Sequence, residues 1–455
     1  MTTATSATPA PALEPASAEQ IHGLVEGLDA EATGAAMHAV VRELYPLDRS
    51  ITGEGLRQSL RVIDRISPLT FHEVASGTPV LDWVIPPEWN LRAARLVGPD
   101  GAVVVDAARL NLHVLGYSVP FHGKVSREEL ESHLHSLREQ PDLVPYRTSY
   151  YAPDWGFCLS HRQREALAPG EYDVLIDATL ADGSLTYGEV VVPGASSAEV
   201  LISTHCCHPS LANDNVSGMV LAATLARLLR GVTPRHTYRF VFVPGTIGAI
   251  TWLARNEERT RHIAHGLVLA CAGDSGRLTY KQSRRGDAEI DRAVAHVLAH
   301  SGDDHEIRPF SPYGYDERQY CSPGFDLPVG SLTRTPHGEF PEYHTSGDDP
   351  SLVKPDRLAD TLKRCLQVFE VLEGNGTYVN LAPKGEPQLG RRGLYGSLGG
   401  RSHAVASQMA MLWVLNLCDG SRSLLEVAER AELPFTEVRR AARALEAAGL
   451  VAAEG

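Results

Sequence analysis

The chain lacks the features that would place it in a membrane or outside the cell. No apolar run of about 18 residues occurs in its 455 residues, so no transmembrane helix is predicted. Residues 1–20 have neither the basic start nor the apolar core of a signal peptide. The seven cysteines are odd in number and include the adjacent pair Cys206 and Cys207, which argues against a disulfide framework. We therefore expect a cytoplasmic protein with no membrane partner.

Basic residues are also in the minority. Lys and Arg total 42 against 56 Asp and Glu, which gives a formal net charge of −14. This balance argues against binding nucleic acid through bulk charge. With 43% hydrophobic and 22% charged residues, the composition is that of a soluble globular protein. The length predicts two or three domains.

Segments of different character follow one another along the chain. Residues 1–30 begin with Ala, Thr, Pro and Ser and are predicted to form a disordered tail. Residues 31–66 show two apolar series at helical spacing. Short β-type runs separated by Pro, Gly, Asn and Asp predict a small β-rich domain at residues 67–150, inserted into the main one. Residues 151–378 alternate strands and helices and complete the main domain.

That alternation predicts an α/β fold with a mixed, largely parallel sheet and helices on both faces. In such sheets, ligands bind beyond the carboxyl ends of the strands. His205, Asp274 and the turn at residues 244–248 each follow a predicted strand. We therefore expect these three positions to converge on one crevice.

Residues 379–455 predict a winged helix-turn-helix. Three short helices, at 405–417, 424–431 and 436–448, precede a strand-like segment at 450–452. Arginines 439, 440 and 443 of the third helix could contact phosphates, so a DNA-binding regulator is one hypothesis. From Leu381 onward, however, nine Lys or Arg face eight Asp or Glu. Because a DNA-binding domain is usually clearly basic, we favour a role in packing or protein interaction.

Two stretches carry residues suited to a metal site. His205 closes an apolar strand, Asp214 follows in a loop that opens a helix, and His344 lies in a distant Pro- and Gly-flanked loop. Imidazole nitrogen and carboxylate oxygen suit zinc in a hydrolytic site. Helix capping alone would explain Asp214 between two asparagines. It would not explain the strand-end His205 or the strand-end Asp274.

Other nearby side chains leave alternatives open. His208 is either an extra ligand, a partner of a ligand or a loop histidine before Pro209. Cys206 and Cys207 would be soft, strong zinc ligands, but an open site of mixed His and carboxylate ligands needs neither. Small buried thiols are common in protein cores.

With these motifs in view, the chain resembles the zinc aminopeptidase superfamily, which includes bacterial leucyl aminopeptidases and glutamate-carboxypeptidase-like enzymes. Within it, the chain is most similar to bacterial aminopeptidase-like domain proteins with an inserted β domain and a C-terminal winged helix. The similarity extends over residues 35–455. It rests on six motifs, at residues 204–205, 212–218, 240–248, 280–287, 316–321 and 342–346.

The resemblance implies a role for each candidate metal ligand. His205 would bind one metal ion, Asp214 would bridge, Asp274 would join His205, and His344 would serve the other metal position. The sequence departs from the family at the turn after the next strand, where two-zinc aminopeptidases carry a Glu pair. Here Gly245 and Thr246 occupy that turn. We therefore expect one zinc ion, with two as the alternative.

The lost Glu pair also removes the usual general base, which typically contributes about 10²–10⁴ in rate. Asp316, Glu317 and Glu342 are the predicted replacements, with Glu339 a further candidate. For substrate binding, the similar segments offer Arg284 and Arg318, whose forked guanidinium groups suit carboxylate or phosphate. Tyr343, beside His344, completes the predicted substrate-binding set.

Three functions follow from these patterns. The ligand set favours a zinc-dependent hydrolase of an amide bond in a small peptide-like or amino-acid-derived substrate. The missing Glu pair favours a second hypothesis, a non-peptidase biosynthetic enzyme or metal-binding scaffold on the same fold. The third is the DNA-binding regulator. A homodimer built through the inserted or terminal domain is an assembly that the sequence leaves open.

Overall fold

The structure, a computed structural model, describes residues 16–394 and 401–454. The helices are α1 (Ala16–Glu26), α2 (Ala30–Leu44), α3 (Glu54–Asp64), α4 (Arg127–Leu130), α5 (His161–Glu165), α6 (Gly218–Leu229), α7 (Ile247–Arg255), α8 (Glu289–Ala299), α9 (Glu317–Tyr320), α10 (Pro355–Gly374), α11 (Arg401–Leu417), α12 (Leu424–Ala431) and α13 (Phe435–Ala447). None of the helices in the described part is long and apolar enough to cross a membrane.

The strands of the main sheet are β1 (Thr70–Ala75), β10 (Ser184–Val192), β11 (Glu199–His205), β12 (Thr237–Val243), β13 (Ile263–Leu269), β14 (Leu278–Lys281), β15 (His305–Arg308) and β16 (Val329–Thr333). The other strands are β2 (Pro79–Val80), β3 (Trp83–Val84), β4 (Glu88–Val97), β5 (Val103–Asp106), β6 (Phe121–Ser126), β7 (Leu134–His135), β8 (Phe157–Cys158), β9 (Glu171–Ala181), β17 (Thr377–Asn380), β18 (Asp419–Ser423) and β19 (Val451–Ala453).

An eight-stranded mixed sheet forms the centre of the molecule, in the order β1-β10-β12-β11-β13-β16-β14-β15. The four middle strands, β12, β11, β13 and β16, are parallel, and antiparallel strands flank them. Every residue of β11 is buried, as expected for a parallel strand covered on both faces. The fold class predicted from the sequence is therefore confirmed.

Alternation along the central strands separates two apolar cores. Val200 and Ile202 of β11 face one core, which also holds residues of α2, α6, α8 and α10. Leu201, between them, faces the other core, which holds residues of α7 and of the inserted domain. Since successive side chains of a strand point to opposite faces, one apolar run supplies both cores.

The inserted domain has different limits from those predicted. Strand β1 pairs with β10 in the main sheet, so residues 70–75 are not part of the insertion. Strand β9 pairs antiparallel with β4 and β6, which places it in the inserted four-stranded sheet β5-β4-β9-β6. The insertion thus runs between β1 and β10, beyond the predicted residues 67–150. Local patterns show that a strand exists but do not show which sheet it joins.

The predicted tail of residues 1–30 also needs correction. Residues 1–15 lie outside the described part of the chain, but α1 begins at Ala16 and α2 at Ala30. Ile21 and Val25 of α1 are buried in the same core as α10. Their i, i+4 spacing gives α1 one apolar face, which explains its packing as a helix.

The C-terminal unit combines α11, α12 and α13 with the three-stranded sheet β18-β17-β19. Its third helix, α13, is turned toward the main domain. Arg439 Nη2 lies 3.2 Å from Glu370 Oε1 of α10, and Arg443 forms an ion pair with Glu19 of α1. Of the three arginines predicted to be available for phosphates, Arg440 alone is exposed. These contacts favour a packing role for α13.

Candidate metal centre

His205 and Asp214 are brought together by the connection between β11 and α6. His205 is the last residue of β11, at the carboxyl ends of the parallel strands. Asp214 lies in an irregular helical turn, Ala212–Ser217, in which Asp214 and Asn215 have non-helical backbone angles. Both side chains are almost completely buried, at 3% and 0% exposure. The turn therefore directs the carboxylate back toward the strand end.

The carboxylate of Asp214 lies between two histidines. Its Oδ1 is 2.8 Å from His205 Nε2, and its Oδ2 is 2.9 Å from His344 Nε2. Burial disfavours the ionised carboxylate, but nearby His208 and the hydrogen bonds from His205 and His344 hold the pKa of Asp214 well below its usual range. Asp214 is therefore an ionised oxygen donor, as metal coordination requires.

His208 is the third member of the cluster. His205, His208 and Asp214 each place a ligand atom within 4.8 Å of the other two. Burial lowers the pKa of His208 to about 3, so its imidazole is neutral at physiological pH, the form that binds metals. Its backbone carbonyl accepts a hydrogen bond of 2.9 Å from Nε of buried Arg49, which fixes the loop. Of the open roles for His208, the geometry favours a ligand.

Buried amides and a second carboxylate hold the turn around Asp214. Asn215 Nδ2 donates to Thr204 Oγ1 at 2.9 Å and to the His205 carbonyl at 3.0 Å. Asp348 accepts the backbone N–H groups of Asn213 and Asp214 at 2.6 and 2.9 Å. Such partners orient metal ligands and are commonly as important as the ligands themselves.

The loop of His344 is anchored by the segment around Tyr146, which lies within the inserted domain. Tyr146 N–H donates to the His344 carbonyl at 2.8 Å, and Pro145 and Thr345 form a β-bridge. The Tyr146 ring stands edge-on to the rings of both His208 and His344, at 5.1 Å in each case. Tyr343 stacks on His344 with ring centres 4.0 Å apart. The predicted substrate residue Tyr343 thus lies beside the cluster.

Asp274 does not join the histidines, contrary to the prediction. Its carboxylate accepts Asn213 Nδ2 at 2.9 Å, Thr335 Oγ1 at 2.6 Å, and the N–H groups of Gly276 and Thr335 at 2.7 and 3.2 Å. Four donors therefore occupy its oxygens. Asp274 supports Asn213, next to the cluster, and connects it to Thr335.

The residue that reaches the site from the end of β13 is Cys271, which the sequence reasoning missed. Its Sγ lies 2.9 Å from the hydroxyl oxygen of Tyr315, whose ring stacks on His205 at 5.5 Å. Its position in the sequence could have indicated this, because Cys271 is closer than Asp274 to Leu269, the last residue of β13. Burial raises the pKa of Cys271 well above its usual value, so the group is a thiol.

The turn that lacks the Glu pair receives a carboxylate from elsewhere. Asp316 Oδ1 accepts the Thr246 N–H at 2.7 Å, while Oδ2 is buried and has no hydrogen-bond partner among the residues that the structure describes. A Cβ atom added to Gly245 would lie 3.7 Å from His205 Cβ, so this turn adjoins the cluster. Burial raises the pKa of Asp316 to about 6, although His205 opposes the shift. Of the three predicted bases, Asp316 has the most suitable position.

The other two predicted bases have different partners. Glu317 is fully buried and forms an ion pair with Lys281. Glu342 uses its backbone carbonyl, which accepts the Thr345 N–H at 3.0 Å and closes the turn beyond His344. Glu339 pairs with Arg308 at 2.5 Å. None of these contacts directs a free carboxylate at the histidines.

The predicted substrate arginines separate in space. Arg318 Nη2 lies 3.4 Å from Thr246 Oγ1, and its guanidinium lies 6.0 Å from the ring centre of Tyr313. Arg284 instead forms an exposed ion pair of 2.8 Å with Asp326. Arg318 therefore stays a candidate for substrate binding, whereas Arg284 is a surface residue.

The two adjacent cysteines are both buried, Cys206 in the core of α6 and α10 and Cys207 in the core of α7. Cys207 Sγ accepts the Gly245 N–H at 3.2 Å. Burial raises the pKa of Cys207 to about 12 and that of Cys206 well above its usual value. Both are therefore thiols at neutral pH.

Comparisons with known proteins agree with this architecture. A family model described as Domain of unknown function (DUF4910) matches residues 38–375, and a winged helix-turn-helix model matches residues 376–453. A Clostridium acetobutylicum protein, named as a candidate polysaccharide biosynthesis protein with an aminopeptidase-like domain, is 46% identical over 413 residues. That match covers 91% of this chain and 95% of the relative.

Solved structures show the same fold. A crystal structure of a candidate peptidase from Clostridium acetobutylicum superposes with a TM-score of 0.91 at 43% identity, covering 96% of this chain and all of the other. A zinc aminopeptidase from Bacillus subtilis superposes with a TM-score of 0.55 at 13% identity, covering 74% of this chain and 94% of the other. The second likeness shows the fold alone. The resemblance to aminopeptidase-like proteins with a winged helix is confirmed.

Proposed function

The chain belongs to the DUF4910 family, and from this membership and the His–Asp cluster we propose that it is a zinc-dependent, aminopeptidase-like hydrolase. Its substrate would be a small peptide-like or amino-acid-derived molecule with an amide bond. The observation that carries the proposal is Asp214, whose two oxygens face two histidines while a third histidine lies within ligand distance.

The donor set fits zinc. Two or three neutral imidazoles and one ionised carboxylate are the ligands of catalytic zinc sites, which keep one position open. Asp348 and Asn215 supply the outer hydrogen bonds that such a site needs. His205, His208 and Asp214 would hold the ion. His344 would be a further candidate ligand, next to Oδ2 of Asp214. Zinc supplies Lewis acidity, which activates water and polarises a carbonyl group.

Asp316 would accept and deliver the proton. The Thr246 N–H fixes Oδ1, so Oδ2 is the atom left to hold the proton of the attacking water and pass it to the leaving amine. This arrangement would restore, from the segment before α9, the carboxylate that the turn has lost. The buried phenol of Tyr146, beside His208 and His344, stays protonated and would exclude water and orient the substrate.

A second candidate keeps the metal site but abandons peptidase chemistry. The substitution of Gly245 and Thr246 for the Glu pair favours a biosynthetic enzyme or a metal-binding scaffold. The name of the Clostridium relative, which includes polysaccharide biosynthesis, points in the same direction.

Metal analysis followed by an amidase assay separates these candidates. We expect the purified full chain to carry about one zinc ion, as the single three-ligand set implies. Chelation should abolish hydrolysis of an aminoacyl anilide, and added zinc should restore it. A zinc-loaded chain that cleaves no amide would support the second candidate. Protein without zinc, with activity that survives chelation, would refute the proposal.

A further inference from the structure

A side cavity lies on the other side of Tyr315 from the metal cluster, that is, the candidate site of His205, His208, Asp214 and His344. It has a volume of about 230 Å³, and its lining includes Lys281, Glu317, Ser331, Tyr313, Tyr315 and His337. Tyr315 forms the shared wall, because its ring also stacks on His205 at 5.5 Å. Whole-ligand pockets measure about 300–1,000 Å³, so this cavity suits one ring-sized part of a molecule.

Glu317 and Ser331, two residues of the cavity lining, have buried hydrogen-bonding atoms with few or no partners in the described part of the chain. Glu317 is 0% exposed, and among the described residues its carboxylate oxygens have no donor apart from the Lys281 ammonium. Ser331 Oγ, on a residue that is 3% exposed, has no hydrogen-bond partner within the described ranges either. Buried polar groups are normally satisfied, so these atoms call for a ligand that brings hydrogen-bond donors.

The charges of the lining cancel in pairs. Lys281 pairs with Glu317, and Arg308 pairs with Glu339 at 2.5 Å. Burial lowers the pKa of His337, so its imidazole is neutral at pH 7. A phosphate or carboxylate would find no unpaired cation in this lining. A neutral group rich in hydroxyls can both donate to Glu317 and exchange hydrogen bonds with Ser331.

The rest of the lining is aromatic. Tyr315 and His337 meet edge to face at 5.0 Å, and Tyr313 lies 5.3 Å from His337. The flat rings give apolar surface in the same lining that contains the carboxylate of Glu317 and the hydroxyl of Ser331. A lining that is partly aromatic and partly hydrogen-bonding suits a ring with an apolar C–H face and hydroxyl groups at its edge.

We propose that the side cavity binds a neutral, hydroxyl-rich, sugar-like part of the substrate, with its hydroxyl groups on Glu317 and Ser331 and its carbon face on Tyr315. This inference rests on the proposed function, since it places the amide bond at the metal cluster and the sugar-like ring next to it.

Two matched amides test the inference. The alanyl amides of glucosamine and of cyclohexylamine carry the same bond and a six-membered ring, and differ chiefly in hydroxyl groups. The full zinc-loaded chain should cleave the glucosamine amide with a kcat/KM about 10-fold higher or more, as expected where buried polar groups need their partners. Ser331→Ala and Glu317→Gln should each reduce this ratio at least about threefold. Equal cleavage of both amides by the unmodified chain would overturn the inference.

A control variant and a binding measurement separate the possible failures. Glu306→Gln removes another partner of Arg308, outside the cavity lining, and should keep the ratio. Saturation-transfer NMR with the methyl glycoside of N-acetylglucosamine detects binding without cleavage. Binding that Ser331→Ala weakens, without hydrolysis of either amide, would refute the proposed function and support the cavity assignment. Hydrolysis of both amides at equal rates, without glycoside binding, would support the proposed function and refute the cavity assignment.

Discussion

Asp214 Oδ2 lies 2.9 Å from His344 Nε2, although 130 positions separate the two residues. The contact joins the turn between β11 and α6 to the loop between β16 and α10. It also leaves Oδ1 of the same carboxylate to His205 at 2.8 Å. One side chain thus determines the relative position of two histidines from distant parts of the chain.

Replacement of Asp214 should remove the metal. Mutation of a residue that only hydrogen-bonds to a metal ligand typically costs about 10–100-fold in metal affinity, so loss of the ligand itself in Asp214→Asn should weaken zinc binding by about 100-fold or more. Zinc content by mass spectrometry and a competition titration with a chromogenic chelator measure the effect. Asp349→Asn is the control, because Asp349 caps a nearby turn through the Ser351 N–H. Unchanged zinc affinity in Asp214→Asn would exclude this carboxylate as a ligand.

Replacement of Asp316 should reduce turnover more than substrate binding. Asp316→Asn keeps the bond from Thr246 but cannot accept a proton, so kcat should fall about 10²–10⁴-fold with little change in KM. Because the proposed base acts in its ionised form, the rate of hydrolysis by the unmodified chain should rise as pH increases through about 6. The variant should lose this limb of the profile. Glu342→Gln should change kcat less than about threefold; a larger loss there would shift the base to Glu342.

Asp274 should prove structural. Asp274→Asn replaces an acceptor that faces four donors, so the free energy of unfolding should fall by about 1–3 kcal/mol. Zinc content should stay at the level of the unmodified chain. Urea titration and metal analysis of the same sample measure both quantities. A stable variant without zinc would restore Asp274 to the ligand set.

The inward face of α13 should contribute to stability. Arg439→Ala leaves Glu370 buried without its guanidinium partner, and breaking such a pair typically costs about 3–5 kcal/mol. Arg440→Ala, on the exposed face of the same helix, should change stability by less than about 0.5 kcal/mol. Equal small effects would show that the C-terminal unit does not depend on this contact. A salt-dependent gel shift that Arg440→Ala abolishes would favour the DNA-binding hypothesis.

His296 should make the packing of α13 depend on pH. Its Nε2 accepts the Phe435 N–H at 3.0 Å, and burial lowers the pKa of His296 to about 4. Below its unfolded pKa of about 6.5, the unfolded chain binds this proton more readily, so stability declines as pH falls toward 4. Urea unfolding at pH 7.5 and at pH 5 should show the loss, and His296→Gln should reduce it. The same pH dependence in the variant would contradict the assignment.

The sequence predicts the fold well because long-range order in this chain follows local patterns. The buried run at residues 200–204 and the helix at 218–229 have the periods expected of a covered strand and its following helix. The limits of the inserted domain were less accessible. Whether β9 joins β10 or β4 depends on pairing partners far away in the chain, and its own alternation is compatible with either sheet.

The site shows the same division. Strand-end position predicts that His205 and Asp214 meet, and the structure brings His344 to them. Asp274 and Arg284 are also residue types suited to metal and substrate binding. Four donors nevertheless occupy the Asp274 carboxylate, and Arg284 pairs with Asp326. Spacing cannot reveal such competing partners. The approach of Asp316 to Thr246 was equally hidden, because it depends on the path of the chain around α9.

The β-bridge between Pro145 and Thr345 limits how this molecule can be divided. It ties residues 144–145 of the inserted domain to the loop that carries His344, because the Ser346 N–H donates to the Val144 carbonyl beside it. Excision of the insertion would therefore release the loop of His344 from the contacts that hold it beside Asp214. Any change in the orientation of the inserted domain relative to the central sheet would therefore also move His344 relative to Asp214.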